Sequence, residues 1–173
     1  VSHRRNQALN ISLCGFYGCG KTSAGWELAK RMRRQFIDVS QELARKSRPA
    51  LIPVPLWGRQ PPAEPSEPHL VLELMNRRDL VVGLSAESLD DPDVLEEVAE
   101  FSFMVFIDPP FEALYRRLQT MPAHRDKVAA LGRFGLLEQL ETRRSRYQRC
   151  DLHLTVDAPP ARLAALILHC FYT

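Results

Sequence analysis

Several features that would place a 173-residue chain in a specialised class are missing here. Its four cysteines, Cys14, Cys19, Cys150 and Cys170, form no C-x-x-C pair, so neither a disulfide framework nor a zinc-ligand spacing is present. No apolar run reaches the roughly 20 residues a membrane helix needs. The opening stretch, VSHRRNQALN, is polar and lacks the apolar core of a signal peptide. Excess charge of one sign is missing too. Lys and Arg number 23 against 21 Asp and Glu, a net charge of +2. That balance gives no general attraction to nucleic acid or to a membrane surface. The five histidines are scattered and earn no metal or nucleophilic role. These absences lead to the expectation of a reduced, cytoplasmic protein with no nucleic-acid and no membrane partner.

What is present is a well-spaced α/β pattern. The composition, 45% hydrophobic and 25% charged, suits a single domain over residues 1–173. Short apolar runs read as strands in ALNISLCG, QFIDVS, DLVVGLS, SFMVFIDPP and LHLTV. Helical spacing follows each: Lys21 to about Arg34, QELARKS with Ser40 as its cap, Asp90 to Ala99, Phe111 to Leu118, and Ala161 to Tyr172. HLVLELMNR and the stretch from Phe134 to Cys150 read as further helices, while Pro122 to Lys127 reads as polar and irregular. Seven of the 13 prolines fall between Pro49 and Pro68, a density that predicts a long loop. Five alternations of strand and helix predict a three-layer α/β/α sandwich around a five-stranded parallel sheet.

The first strand runs into GFYGCGKT, Gly15 to Thr22, and a helix follows. Two glycines five apart, then Lys-Thr, between a strand and a helix, is the pattern of a phosphate-binding loop. Gly15, Gly18 and Gly20 let the backbone turn and aim N–H groups at phosphate oxygens. The helix start adds its positive dipole end at Lys21, Thr22 and Ser23. Lys21 would reach the β/γ-phosphates, and the Thr22 hydroxyl would ligate Mg²⁺. Cys19 reads as a small residue filling a variable position. Asp108 closes an apolar strand, and a second Mg²⁺-binding carboxylate is one reading of it; a strand-end residue beside Pro109 and Pro110 is the other.

The block from Asn10 to Gln41, NISLCGFYGCGKTSAGWELAKRMRRQFIDVSQ, resembles the shikimate kinase family. The resemblance resumes in LVVGLS, VFIDPPFEALYRRL and LETRRSRYQRCDLHLTVD. It implies a P-loop kinase fold with a lid, about residues 119–135, and an acceptor-binding region, about 41–78. It implies ATP and Mg²⁺ as cofactors at Gly15 to Thr22, with Asp38 helping to hold the metal. Arg117 falls where the family places an arginine against adenine. Arg125 falls where the lid supplies an arginine to the phosphates, with Lys127 and Arg133 as alternatives. Arg143, four residues before Tyr147, matches the arginine that grips the acceptor carboxylate; a solvated basic helix end is the competing reading. Lys21, Asp38 and Arg125 would thus be catalytic.

The acceptor half departs from the family pattern. Ser40 stands where the family has a second Asp, and Ser85, Ala86 and Glu87 stand where it has three glycines. The family's Phe-Arg pair falls near Ala63 and Glu64, leaving Arg59 as a substitute arginine. The expected function is an ATP-dependent small-molecule kinase. It would transfer the γ-phosphoryl group to a hydroxyl of shikimate or a related hydroxy acid, with Arg143, Ser40 and Arg59 on the acceptor side. The resemblance further implies a role in aromatic amino acid biosynthesis, and the assembly expected is a monomer or weak homodimer. The alternative is a non-catalytic nucleotide- or ligand-binding domain on the same fold, a sensor or one module of a larger protein.

Overall fold

The computed structural model describes residues 9–47 and 66–173. Five strands form one parallel sheet: β1 (Asn10–Cys14), β2 (Gln35–Asp38), β3 (Leu80–Gly83), β4 (Ser102–Ile107) and β5 (Leu152–Leu154), in the order β2-β3-β1-β4-β5. β1 and β4 are buried along their whole length, as the unbroken apolar runs predict.

The two-residue strand period divides the core into two layers. Ile11 and Leu13 of β1, and Phe103, Val105 and Ile107 of β4, face one side of the sheet. Cys14, Met104 and Phe106 face the other. The first layer is covered by α1 (Lys21–Met32), α5 (Phe111–Thr120), α6 (Arg125–Arg144) and α7 (Pro160–Tyr172). The second is covered by α2 (Val39–Lys46), α3 (Glu67–Met75) and α4 (Pro92–Phe101). The result is the expected three-layer sandwich. Buried leucines such as Leu28, Leu74 and Leu114 each contribute about 1.5–3 kcal/mol by leaving water.

One buried polar side chain fixes the N-terminal end of the central strand. Asn10 donates from Nδ2 to the Leu74 and Arg77 carbonyls at 3.2 and 2.9 Å, and its Oδ1 accepts from the Leu80 amide at 3.0 Å. The turn from α3 into β3 is thereby pinned to β1.

Three local expectations change. The cap of α2 is Asp38, whose carboxylate accepts from the Gln41 amide at 3.2 Å; Ser40 lies one residue inside the helix. Asp is as good a cap as Ser and stands at the strand end. The segment expected to be irregular is helical, a 3₁₀ turn over Pro122–His124 running into α6. Proline there occupies the first helical position, where its missing N–H costs nothing. α3 starts at Glu67, so Pro68 sits in a helix's first turn rather than in the loop, for the same reason. The rest of the proline-rich stretch, 48–65, lies outside the described residues.

All five strands point the same way, and chain direction across the sheet reverses at β1. Ligands of open parallel sheets sit at such a switch, beyond the carboxyl ends of the strands. The loops after β1, β2, β3 and β5 meet there.

Candidate active site

The loop after β1 is shaped by a glycine whose replacement the fold forbids. Gly15 has φ +150°, and a Cβ there would lie 2.5 Å from the Ile107 carbonyl oxygen of β4. Close approach of the loop to the neighbouring strand requires its absence. α1 then begins at Lys21, with no acidic side chain in its first turn to compete for the helix N-terminus.

Lys21 lies back on its own loop, donating from Nζ to the Gly15 and Phe16 carbonyls at 2.8 and 2.9 Å and to Cys19 Sγ at 3.6 Å. Its flexible stem lets those carbonyl contacts be exchanged for phosphate oxygens. Thr22 Oγ1 donates to Asp38 Oδ2 at 2.7 Å. Asp38 therefore does two things: Oδ1 caps α2, and Oδ2 faces the phosphate loop. A hydroxyl and a carboxylate side by side beyond the strand ends are the hard oxygen donors Mg²⁺ takes, the remainder coming from phosphates and water. The donor set fits that ion.

A cleft of about 940 Å³ opens over the loop. Gly18 to Ser23, Asp38, Ser40 and Arg117 all line it. On one flank Arg117 donates to the Gly18 carbonyl at 3.2 Å and pairs with Asp157 in the loop after β5. On the other, Ser85 to Glu87 form the wall. His124 of the 3₁₀ turn closes the top, and burial, with the nearby Lys127 and Lys21 cations, holds its imidazole below the ordinary value.

The other expected residues are placed differently. Arg125 is exposed and outside the cleft lining. Two residues on, Lys127 Nζ stands 3.7 Å over the Tyr17 ring and 3.6 Å from Glu87. Arg133 pairs with Glu112 on the outer face. Arg143 is 13% exposed, donates to the Tyr17 hydroxyl at 3.1 Å, and approaches Glu87 at 3.4 Å and Asp90 at 3.8 Å. It is therefore turned inward toward the loop after β3 rather than solvated with its neighbours. Tyr147, on the same stretch of chain, is buried, and its hydroxyl donates to the Ala86 carbonyl at 3.4 Å. Burial pushes that phenol well above its ordinary value. Asp108 is a strand-end residue: its carboxylate accepts from Arg144 at 3.0 and 3.2 Å and contacts His153 at 3.0 Å, away from the cleft lining. Arg59 lies outside the described residues. Tyr17 and Asp157 also line the cleft. Only Asp157 carries a local signal, an acid just beyond a strand of a parallel sheet.

The shikimate kinase family model matches residues 17–170. The chain belongs to the shikimate kinase family. A shikimate kinase of Xylella fastidiosa (strain M23) is 24% identical over 167 residues, covering 94% of this chain and 92% of that protein. The shikimate kinase from Acinetobacter baumannii, solved in complex with shikimate, superposes with a TM-score of 0.75 at 24% identity, covering 96% of this chain and 94% of that one. The Bacteroides thetaiotaomicron shikimate kinase gives a TM-score of 0.77 at 17% identity, covering 95% and 99%. These structures share the fold. Family membership makes the protein an ATP-dependent phosphotransferase of shikimate kinase type. Among the described residues no helix is long and apolar enough to cross a membrane.

Proposed function

We propose that the protein binds ATP·Mg²⁺ on the loop Gly15–Thr22 and transfers the γ-phosphoryl group to a hydroxyl of a small polyhydroxylated acceptor of the shikimate type. The observation that carries this reading is the Thr22–Asp38 contact beside Lys21, within a cleft whose opposite wall is a separate loop. Bound ATP·Mg²⁺ would supply the phosphoryl group and the divalent charge that offsets its oxygens. The chain's own residues do the rest. Amides of Gly18 to Thr22 orient the phosphates. Lys21 neutralises charge that grows on the transferred group. Arg117 and Asp157 tie the phosphate loop to the β5–α7 loop and form the nucleotide-base side. Asp38, a carboxylate lining the cleft beside the phosphate loop, would take the proton of the acceptor hydroxyl. Phosphoryl transfer depends mainly on positioning and charge, so Ser40 in place of a carboxylate slows the reaction without abolishing it.

Within a single domain, about residues 41–78 serve the acceptor and about 119–135 act as the lid, whose Lys127, rather than Arg125, stands against Tyr17 and Glu87 of the cleft wall. A cytoplasmic location and a monomer or weak homodimer complete the reading. A place in aromatic amino acid biosynthesis depends on shikimate turnover.

The test is acceptor-dependent ADP release across shikimate, quinate and related polyols, with Lys21→Ala as the control. Turnover by the wild type and its loss in the variant is the expected result. A nucleotide-induced rise in Tm with no acceptor turned over would instead favour the non-catalytic alternative.

A further inference from the structure

The acceptor wall contains an anion where an acidic acceptor would bring its own. Glu87 Oε1 lies 3.4 Å from Arg143 Nη2 and 3.6 Å from Lys127 Nζ. Among the described residues these two cations stand beside the loop after β3, one from the far end of α6 and one from its start. Asp90 adds a second carboxylate at 3.8 Å from Arg143. Asp90's nearer partner is Arg146, so among the described residues Glu87 is the carboxylate that Arg143 and Lys127 share.

The backbone carrying Glu87 is fixed from several directions. Ser85 Oγ accepts from the Glu87 and Ser88 amides at 3.1 and 3.0 Å, and the Ser85 amide donates to Ser88 Oγ at 2.9 Å. Both serine hydroxyls donate to Glu67 Oε1 at the start of α3. Tyr147 holds the Ala86 carbonyl from behind. Arg143 is itself held by Tyr17 and nearly enclosed. Such a loop does not withdraw as a unit; only the half-exposed Glu87 side chain can leave the guanidinium. An entering carboxylate must displace it, and then sits beside it as a like charge.

We propose that Glu87 determines acceptor specificity: as the internal counter-ion of Arg143 and Lys127, it makes an uncharged polyhydroxy compound the preferred acceptor over a carboxylic acid. This rests on the kinase reading above and narrows its acceptor class. An uncharged polyol leaves the ion pair intact and can use Glu87 and the Tyr17 hydroxyl as hydrogen-bonding partners for its own hydroxyls.

Shikimate and its methyl ester form a matched pair differing in that one charge. Binding of each is measured by calorimetry to the ADP-loaded wild type, Glu87→Gln, and the double variant Glu87→Gln/Arg143→Met. The amide keeps the shape and removes the charge, and an ADP-induced rise in Tm verifies that each variant is folded. Expected is ester binding at least as tight as acid binding in the wild type. Glu87→Gln should tighten shikimate by about tenfold or more while moving the ester by less than about twofold, and the gain should vanish in the double variant. In turnover, kcat/KM should favour the ester in the wild type and the acid in Glu87→Gln. Tighter binding of acid than ester by the wild type, an unchanged acid/ester ratio in Glu87→Gln, a gain that survives loss of Arg143, or no binding of either compound would overturn the proposal. Binding to the ADP complex needs no phosphoryl transfer, so these outcomes are read separately from failure of the kinase assignment.

Discussion

Asp38 holds a helix cap with one carboxylate oxygen and faces the phosphate loop with the other. Its Oδ1 caps α2 and its Oδ2 receives the Thr22 hydroxyl. The two roles separate by substitution. Asp38→Asn keeps the cap, since Asn ranks with Asp there, but removes the charge offered to a divalent cation. Its Tm should stay within a degree or two of wild type, about 0.5 kcal/mol or less, while the Mg²⁺ concentration for half-maximal turnover rises. Asp38→Ala should lose the cap as well, about 1 kcal/mol by denaturant titration. Equal loss of stability in both variants would contradict the division of labour. Lys21→Ala should lower kcat by about 10²–10³-fold with little change in Tm, as expected for a cation acting on the transferred group.

At the scale of elements, the loop after β1 and the 3₁₀ turn that leads into α6 respond to different stresses. Gly15→Ala should cost about 3 kcal/mol or more in denaturant stability, because a Cβ meets the Ile107 carbonyl at 2.5 Å and φ is +150°. The 3₁₀ turn Pro122–His124 should be sensitive to acid through His124. Burial chiefly, then Lys127 and Lys21, lower its pKa in the fold, with Glu87 opposing. The stability this neutral imidazole contributes is complete above the unfolded value near about pH 6.5 and is lost as pH falls through it toward the folded value. The Tm of wild type should therefore drop more than that of His124→Gln between pH 7.5 and about pH 5. The same elements explain what the sequence made legible. β1, the glycine loop and α1 form one contiguous run whose signals are local, and β2 places Asp38 at the next strand end. Choosing between Arg125 and Lys127 needed helical phase: two residues apart on a helix point to nearly opposite sides, and a segment read as irregular has no phase. The pairing of Glu87 with Arg143 spans 56 residues; only the packing of α6 against the loop after β3 brings them together.

For the whole molecule, the two halves of the cleft differ in what they retain. The phosphate side keeps loop, lysine, hydroxyl and carboxylate in one place, whereas the opposite wall sets Glu87 against Arg143 and Lys127. Ligand linkage reads the first half without reference to the second. At a hundredfold excess over Kd, ADP or ATP should stabilise the protein by about 2.7 kcal/mol, and Gly15→Ala should weaken that shift beyond its own cost. The most direct measurement of the central claim is ADP release from ATP·Mg²⁺ with and without a polyhydroxy acceptor, in wild type and Lys21→Ala. The account predicts acceptor-dependent ADP and phosphorylated acceptor in equal amounts from the wild type and almost none from the variant. ADP that forms at the same rate without acceptor, or that survives in Lys21→Ala, would contradict it.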